Sequence, residues 1–72
     1  MRPYPLRKNI TREEFEMLVT DLYYRLAAKG LNPDSNLAIE EKKLVSPDGK
    51  TYLHFALLIS EAAAQILENE PN

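Results

Sequence analysis

Residues 10–31 constrain the fold more than any other part of the chain, because a helix start, an apolar stripe and a helix stop agree there. Thr11 and Glu14 form a T-x-x-E capping box, in which each side chain can accept a hydrogen bond from the other residue's free backbone N–H. Gly30 can adopt the left-handed conformation that ends a helix. Between these points the apolar residues recur at steps of three and four, the spacing of one helix face. They are Phe15, Leu18, Val19, Leu22, Tyr23 and Leu26. The sequence therefore predicts a helix over residues 12–29 with this face in the core.

A tight turn is predicted at residues 46–50, which read Ser-Pro-Asp-Gly-Lys. Pro47 fits the first central position and Gly49 is free to adopt a positive φ, so the pattern favours a β-hairpin with a bulge at the glycine. Antiparallel counting outward from the turn gives the opposed residues. They are Val45 with Thr51, Lys43 with Leu53, and Glu41 with Phe55. The residues that share the face predicted to meet the core are Val45, Leu53 and Phe55. Those that share the other face are Leu44, Tyr52 and His54.

Two stretches fit both a helix and a strand. Residues 37–45 are rich in helix formers, yet the turn that follows them favours a strand, so both alternatives stay open. Residues 55–69 carry apolar side chains at helical spacing, which predicts a second helix from Phe55 to Asn69. The alternative is a strand that continues through Ile59 and a shorter helix capped at Ser60, because the apolar residues of 53–59 also alternate.

These elements predict one small α+β domain in the order helix, β-hairpin, helix (αββα), with both helices packed on one face of the hairpin. A three-helix bundle, with residues 36–44 as its middle helix, is the alternative. At 72 residues the chain can bury one core but not two. We place the domain at residues 10–70 and an extended, proline-stiffened arm at residues 1–9. Residues 31–36 are predicted to form a loop and residues 68–72 an acidic tail.

Charge is divided unevenly between the arm and the body. The formal net charge is −2, but residues 1–12 carry four basic residues and no acid, whereas residues 13–72 carry eleven acids and five basic residues. A basic leader on an acidic unit suits two kinds of partner. The arm can lie in a protein groove as a preordered extended peptide, with its cations meeting acids at the rim. Alternatively the arm can contact nucleic acid phosphates, although the acidic body opposes this within a Debye length.

Few side chains in this sequence can carry out chemistry. The chain has no cysteine and one histidine, His54, so neither a thiolate metal site nor an imidazole cluster can form. None of the serines lies in a nucleophile motif, and two glycines cannot build a phosphate-binding loop. We therefore predict no enzymatic activity, no catalytic or metal-binding residue and no cofactor. No apolar stretch approaches about 18 residues, so we expect neither a membrane span nor a signal peptide, and a cytoplasmic location.

The predicted function is a small non-enzymatic protein-binding module, such as a regulator, an inhibitor or an assembly adaptor, that acts through its arm and a helix or hairpin face. A nucleic-acid-associated regulator that uses the basic arm is the alternative. The residues predicted to contact a partner are Arg2, Tyr4, Leu6, Arg7, Lys8, Arg12, Tyr24 and Tyr52. A homodimer is a further candidate, because five apolar residues are not needed by the predicted core and a short chain gains most from burying them. These are Met17, Tyr24, Leu44, Tyr52 and Leu57.

Overall fold

A computed structural model describes residues 1–70 of the chain. Three helices and three strands occur in this part of the protein. In chain order they are β1 (Arg2–Pro3), α1 (Arg12–Ala28), α2 (Pro33–Asn36), β2 (Leu37–Val45), β3 (Thr51–Ile59) and α3 (Glu61–Asn69). The strands form one antiparallel sheet in the order β1-β3-β2. This arrangement confirms the predicted α+β class and its helix-hairpin-helix order, and it does not favour the three-helix bundle.

The first helix begins and ends as its local sequence predicts. At its start the Thr11 hydroxyl oxygen accepts a hydrogen bond from the backbone N–H of Glu14, whose side chain accepts one from the N–H of Thr11. At its end Gly30 has φ +81°, and the N–H of Leu31 bonds to the carbonyl of Leu26 at 3.1 Å. This is a Schellman closure. The buried residues of the helix are Phe15, Leu22 and Leu26, all from the predicted stripe.

The hairpin has the predicted register. Val45 lies opposite Thr51 and Glu41 lies opposite Phe55. In the turn the backbone N–H of Ser46 bonds to the Lys50 carbonyl at 2.9 Å, and Gly49 has φ +85°. Residues 37–45, for which the sequence left two alternatives, are therefore a strand. The predicted loop before them contains the one-turn helix α2.

The predicted second helix is present and ends at Asn69 as expected, but its predicted start at Phe55 is wrong, and the alternative with a shorter helix is correct. β3 continues through Ile59, and α3 begins after Ser60, whose hydroxyl oxygen accepts from the backbone N–H of Ala63 at 3.0 Å. Residues 55–59 form a strand because their backbone groups find hydrogen-bond partners on both sides. β2 pairs with β3 along one edge, and β1 pairs with it along the other.

Extending β3 also changes the place of Leu57. From the sequence, Leu57 is expected to be one of the apolar side chains that the predicted core does not need. In the strand it shares a face with Phe55 and Ile59, and its side chain is 1% exposed. Leu57 therefore belongs to the core, where Ala63 and Ala64 of α3 also lie.

Residues from the arm take part in the sheet. Arg2 pairs with Ile59, and the backbone N–H of Tyr4 bonds to the Leu57 carbonyl at 2.8 Å. Tyr4 and Leu6 are partly buried against the core cluster. The extended conformation that the two prolines impose is thus used as a short third strand.

The hairpin is longer than the helix layer that covers it. The structure measures 46 × 22 × 16 Å along its principal axes. On the inner face of β3, Phe55 and Ile59 are buried, whereas every residue from Thr51 to His54 is exposed. The end of the hairpin therefore projects from the body as a two-stranded ribbon. Across residues 1–70, no helix combines the length and the apolar character needed to cross a membrane.

Candidate binding surface on the projecting hairpin

The projecting part of the hairpin, residues 42–54, is the most distinctive surface of the structure, and we call it the hairpin tip. Apart from the half-buried Ser46, every residue of the tip is exposed. Four of them are large apolar residues: Leu44, Val45, Tyr52 and Leu53, with exposed fractions of 50%, 70%, 52% and 42%. A ribbon cannot bury these side chains against its own body, because the helix layer ends before it reaches them.

The exposed apolar side chains occupy both faces of the tip. Leu44 lies directly opposite Tyr52, and this pair faces away from α1. On the inner face, Val45 lies opposite Thr51, and Leu53 lies two residues further along the same face of β3. The tip thus presents an apolar surface on each side. The sequence correctly predicts which residues share each face, but from it we expect the helices to cover the inner face.

Lysines surround these apolar pairs. Lys42 lies opposite His54, Lys43 lies opposite Leu53, and Lys50 follows the turn. Within residues 1–70 none of the three lysines forms an ion pair. Lys8 of the arm and His54 line the same shallow cavity beside β3. The rim of the tip is therefore positively charged.

The base of the tip is fixed by Arg12, one of the residues predicted to contact a partner. Its guanidinium group donates hydrogen bonds to both carboxylate oxygens of Glu41. The same group lies 5.7 Å from the centroid of the Phe55 ring. Arg12 therefore joins α1 to both strands of the hairpin through an ion pair and a cation–π contact.

The two arginines of the arm, Arg2 and Arg7, also have acidic partners inside the chain. Arg2 pairs with Glu68 and lies 3.8 Å from Glu61, both on α3. Arg7 pairs with Glu14 at the start of α1. The uneven charge distribution is visible in the sequence, from which we expect the complementary acids to lie on a partner. In the structure, acids of the protein's own body lie next to these arginines.

The structure does not bring all the predicted contact residues together. Tyr24 is 70% exposed on the solvent side of α1, where Tyr23 meets it edge to face with ring centroids 6.3 Å apart. Tyr52 lies on the sheet face that points away from α1. Tyr24 and Tyr52 therefore belong to different surfaces. Met17, also exposed, lies on α1 seven residues before Tyr24.

The perturbed ionisable groups have local structural causes. The Ser46 hydroxyl and the backbone N–H of Lys50 hydrogen-bond to Asp48 and lower the pKa of its carboxyl group, which fixes the turn of the tip. The backbone N–H and hydroxyl of Thr11 lower the pKa of Glu14. His54 is exposed, and within residues 1–70 no three His, Asp or Glu side chains are close enough together to hold a metal ion.

Comparison of the chain with protein-family models, curated proteins and solved structures finds no match.

Proposed function

We propose that the protein is a small non-enzymatic protein-binding module, acting as a regulator, an inhibitor or an assembly adaptor, and that the hairpin tip is its docking element. One observation carries this proposal: two apolar surfaces lie on opposite faces of a projecting ribbon, with lysines around them. Exposed apolar area of this kind gains about 25 cal/mol for each Å² that a partner removes from water. The partner that fits is a protein with an apolar groove and an acidic rim.

The structure of the turn supports this role. A ribbon that is already ordered loses little conformational entropy when it binds. The Asp48 carboxylate accepts a hydrogen bond from the backbone N–H of Lys50 at 3.2 Å, and the N–H of Gly49 bonds to the Ser46 carbonyl at 2.9 Å. Arg12 and Glu41 brace the other end. The tip is thus held at both ends before any partner arrives.

In this proposal the arm braces the fold and contributes to binding through one residue. To reach a partner, each of Arg2, Arg7 and Arg12 would have to break its ion pair with an acidic residue of the same chain. Lys8 is exposed beside the tip and extends its basic rim. We place the protein in the cytoplasm, where its lack of cysteine is ordinary.

Site-specific photocross-linking tests the assignment of the tip. A photoreactive phenylalanine analogue replaces Tyr52 in one variant and Tyr24 in a control variant, both at exposed tyrosines. We expect a covalent adduct to a cellular protein from position 52 and none from position 24. The serine pair L44S/Y52S should also lose that partner, whereas M17S/Y24S should retain it. An adduct from position 24 alone, or retention by L44S/Y52S, would contradict the proposal.

A nucleic acid is the second candidate partner, because the tip carries three lysines and one acid beside the aromatic ring of Tyr52. Its test is the salt dependence of binding to a labelled 20-nucleotide strand. Counterion release predicts a steep fall in affinity between about 50 and 200 mM salt, and a triple substitution of the tip lysines by glutamine should flatten this slope. An absence of binding at the lower salt concentration rejects this candidate.

A further inference from the structure

Within residues 1–70, the outer edge of β2 is unpaired from Ile39 to Val45. The hydrogen bonds between Ser46 and Lys50 and between Asn36 and Ser60 show that the even-numbered residues of β2 bond to β3. The odd-numbered residues therefore direct their backbone groups outward. From Ile39 to Val45, no backbone group within residues 1–70 pairs with this edge. Such an edge is a template for another strand.

The sequence of β2 is partly complementary to its own reverse. It reads Leu-Ala-Ile-Glu-Glu-Lys-Lys-Leu-Val, with two acids followed by two lysines and apolar residues at each end. A two-fold axis perpendicular to the sheet places the same face of both copies on the same side of the joined sheet. An odd-numbered residue of β2 can therefore lie opposite only an odd-numbered residue of the second copy, and an even-numbered residue opposite only an even-numbered one. An axis at Glu41 satisfies this condition. It places Glu40 opposite Lys42 of the second copy and, at the ends, Leu37 opposite Val45.

We propose that two copies of this chain associate through the outer edges of β2, which pair as antiparallel strands about a two-fold axis at Glu41. The product is a six-stranded sheet in the order β1-β3-β2-β2-β3-β1. This inference goes beyond the proposed function, because the edge of β2 is distinct from the two faces of the hairpin tip. Two symmetric ion pairs between Glu40 and Lys42 then flank the axis, at the closely spaced, non-hydrogen-bonded positions.

The residues on the inner face also fit this register. The two Glu41 side chains meet at the axis, and each already has Arg12 as a counter-charge. Lys43 of the second copy lies opposite Ile39, which lines a groove between α1 and β2 together with Glu16. Glu16 has no ion pair within residues 1–70, so it is available to that lysine.

A neighbouring register is disfavoured by charge. Moving the axis to Lys42 places two lysines face to face at close spacing, and within residues 1–70 neither has an acid in contact with it. Charged edge strands often prevent association, because like charges meet. In β2 the order of the charges has the opposite effect at the closely spaced positions, since the two-fold axis brings Glu40 of each copy to Lys42 of the other.

The pairing also complements the elongated shape of the monomer. Antiparallel strands place the helix-covered end of one copy beside the exposed tip of the other. Val45, 70% exposed in the monomer, then meets Leu37 of the second copy. The Leu44 and Tyr52 pair stays on the sheet face that no helix covers.

Charge reversal combined with sedimentation equilibrium tests the dimer and its register. The full chain should be dimeric. K42E should weaken the dimer about tenfold or more, because both ion pairs become repulsive, and E40K should do the same. The double variant E40K/K42E should restore association to within about threefold, since the pairs form again with their charges exchanged. K50E changes a lysine away from the β2 edge and should leave the dimer intact.

A single cysteine provides an independent test of the axis, because the chain has none of its own. E41C should form an intermolecular disulfide on mild oxidation, and the control V45C should not. A folded wild-type chain that stays monomeric up to about millimolar concentration, or a double variant that fails to regain association, overturns the inference. Capture of another protein by the tip of a monomeric E40K variant, whose substitution lies outside the tip, would leave the proposed function standing. If the chain forms the dimer but its tip captures no other protein, only the proposed function is overturned.

Discussion

Phe15 of α1 and Phe55 of β3 stack with ring centroids 4.8 Å apart and ring planes inclined by 20°. This contact marks the boundary between the covered and the projecting parts of the hairpin. Phe55 is 8% exposed, whereas His54 and Leu53 before it are open to solvent. Arg12 lies over the same ring. The stack therefore anchors the hairpin tip to the first helix.

Replacing Phe55 by alanine should lower the free energy of unfolding by about 3–5 kcal/mol, because the change removes a buried ring and leaves a cavity beside Phe15. Urea denaturation followed by circular dichroism measures this effect. Y52A is the matched control, since Tyr52 lies three residues away on the same strand and is exposed. Y52A should lower the free energy of unfolding by less than about 1 kcal/mol. Equal losses for the two variants would contradict the position of the stack.

Removing residues 1–5 should lower the free energy of unfolding by about 1–3 kcal/mol. The truncation deletes β1, the hydrogen bond from the Tyr4 N–H to the Leu57 carbonyl and the partly buried Tyr4 side chain. The midpoint of thermal unfolding measures the loss. K8A changes the exposed lysine of the same arm and should leave the midpoint nearly unchanged. A truncated chain as stable as the full one would show that the arm does not brace the sheet.

Replacing Ser60 by alanine should destabilise the fold by about 1–2 kcal/mol. The hydroxyl oxygen caps α3 at the Ala63 N–H, and the hydroxyl also donates to the side-chain oxygen of Asn36 at 2.6 Å. Chemical denaturation measures the change. S60T keeps both hydrogen bonds and should recover most of the stability, whereas S35A alters an exposed serine and should have little effect. If S60A and S35A lowered the free energy of unfolding by the same amount, the cap at Ser60 would not stabilise the fold.

Lowering the pH should weaken the start of α1 through Glu14. The backbone N–H and hydroxyl of Thr11 stabilise the carboxylate and hold the pKa of Glu14 below its ordinary value, with Arg7 adding to the effect. Because the folded pKa is the lower one, the stabilisation is fully present above the unfolded pKa of about 4.3 and is lost as the pH falls through the folded pKa.

NMR titration of the Glu14 carboxyl carbon measures this effect as a titration midpoint. T11A should move the midpoint upward, because it removes the hydroxyl that stabilises the charged form. The control T20A changes an exposed threonine in the middle of α1 and should leave the midpoint where it is. An unchanged midpoint in T11A would contradict the capping box.

Part of the hairpin tip was predictable from the sequence. Leu44 and Tyr52 were identified as apolar residues that the core does not need, and the turn pattern placed them opposite each other. Val45 and Leu53 were assigned to the core face, which is correct for the face but not for their burial. Nothing in the local sequence states how far α1 and α3 reach along the hairpin. That extent depends on how the three elements pack.

The sequence by itself determined the features that act over a few residues: the start of α1 at Thr11 and the hairpin register set by Pro47 and Gly49. Capping and turn formation use backbone groups within four residues, so their patterns can be interpreted without the fold. The tertiary structure decided whether residues 55–59 form a helix or a strand, and where Arg2 and Arg12 find their acids. An apolar run that fits both periods takes the conformation whose backbone groups find partners, and those partners lie on β1 and β2, far away along the chain.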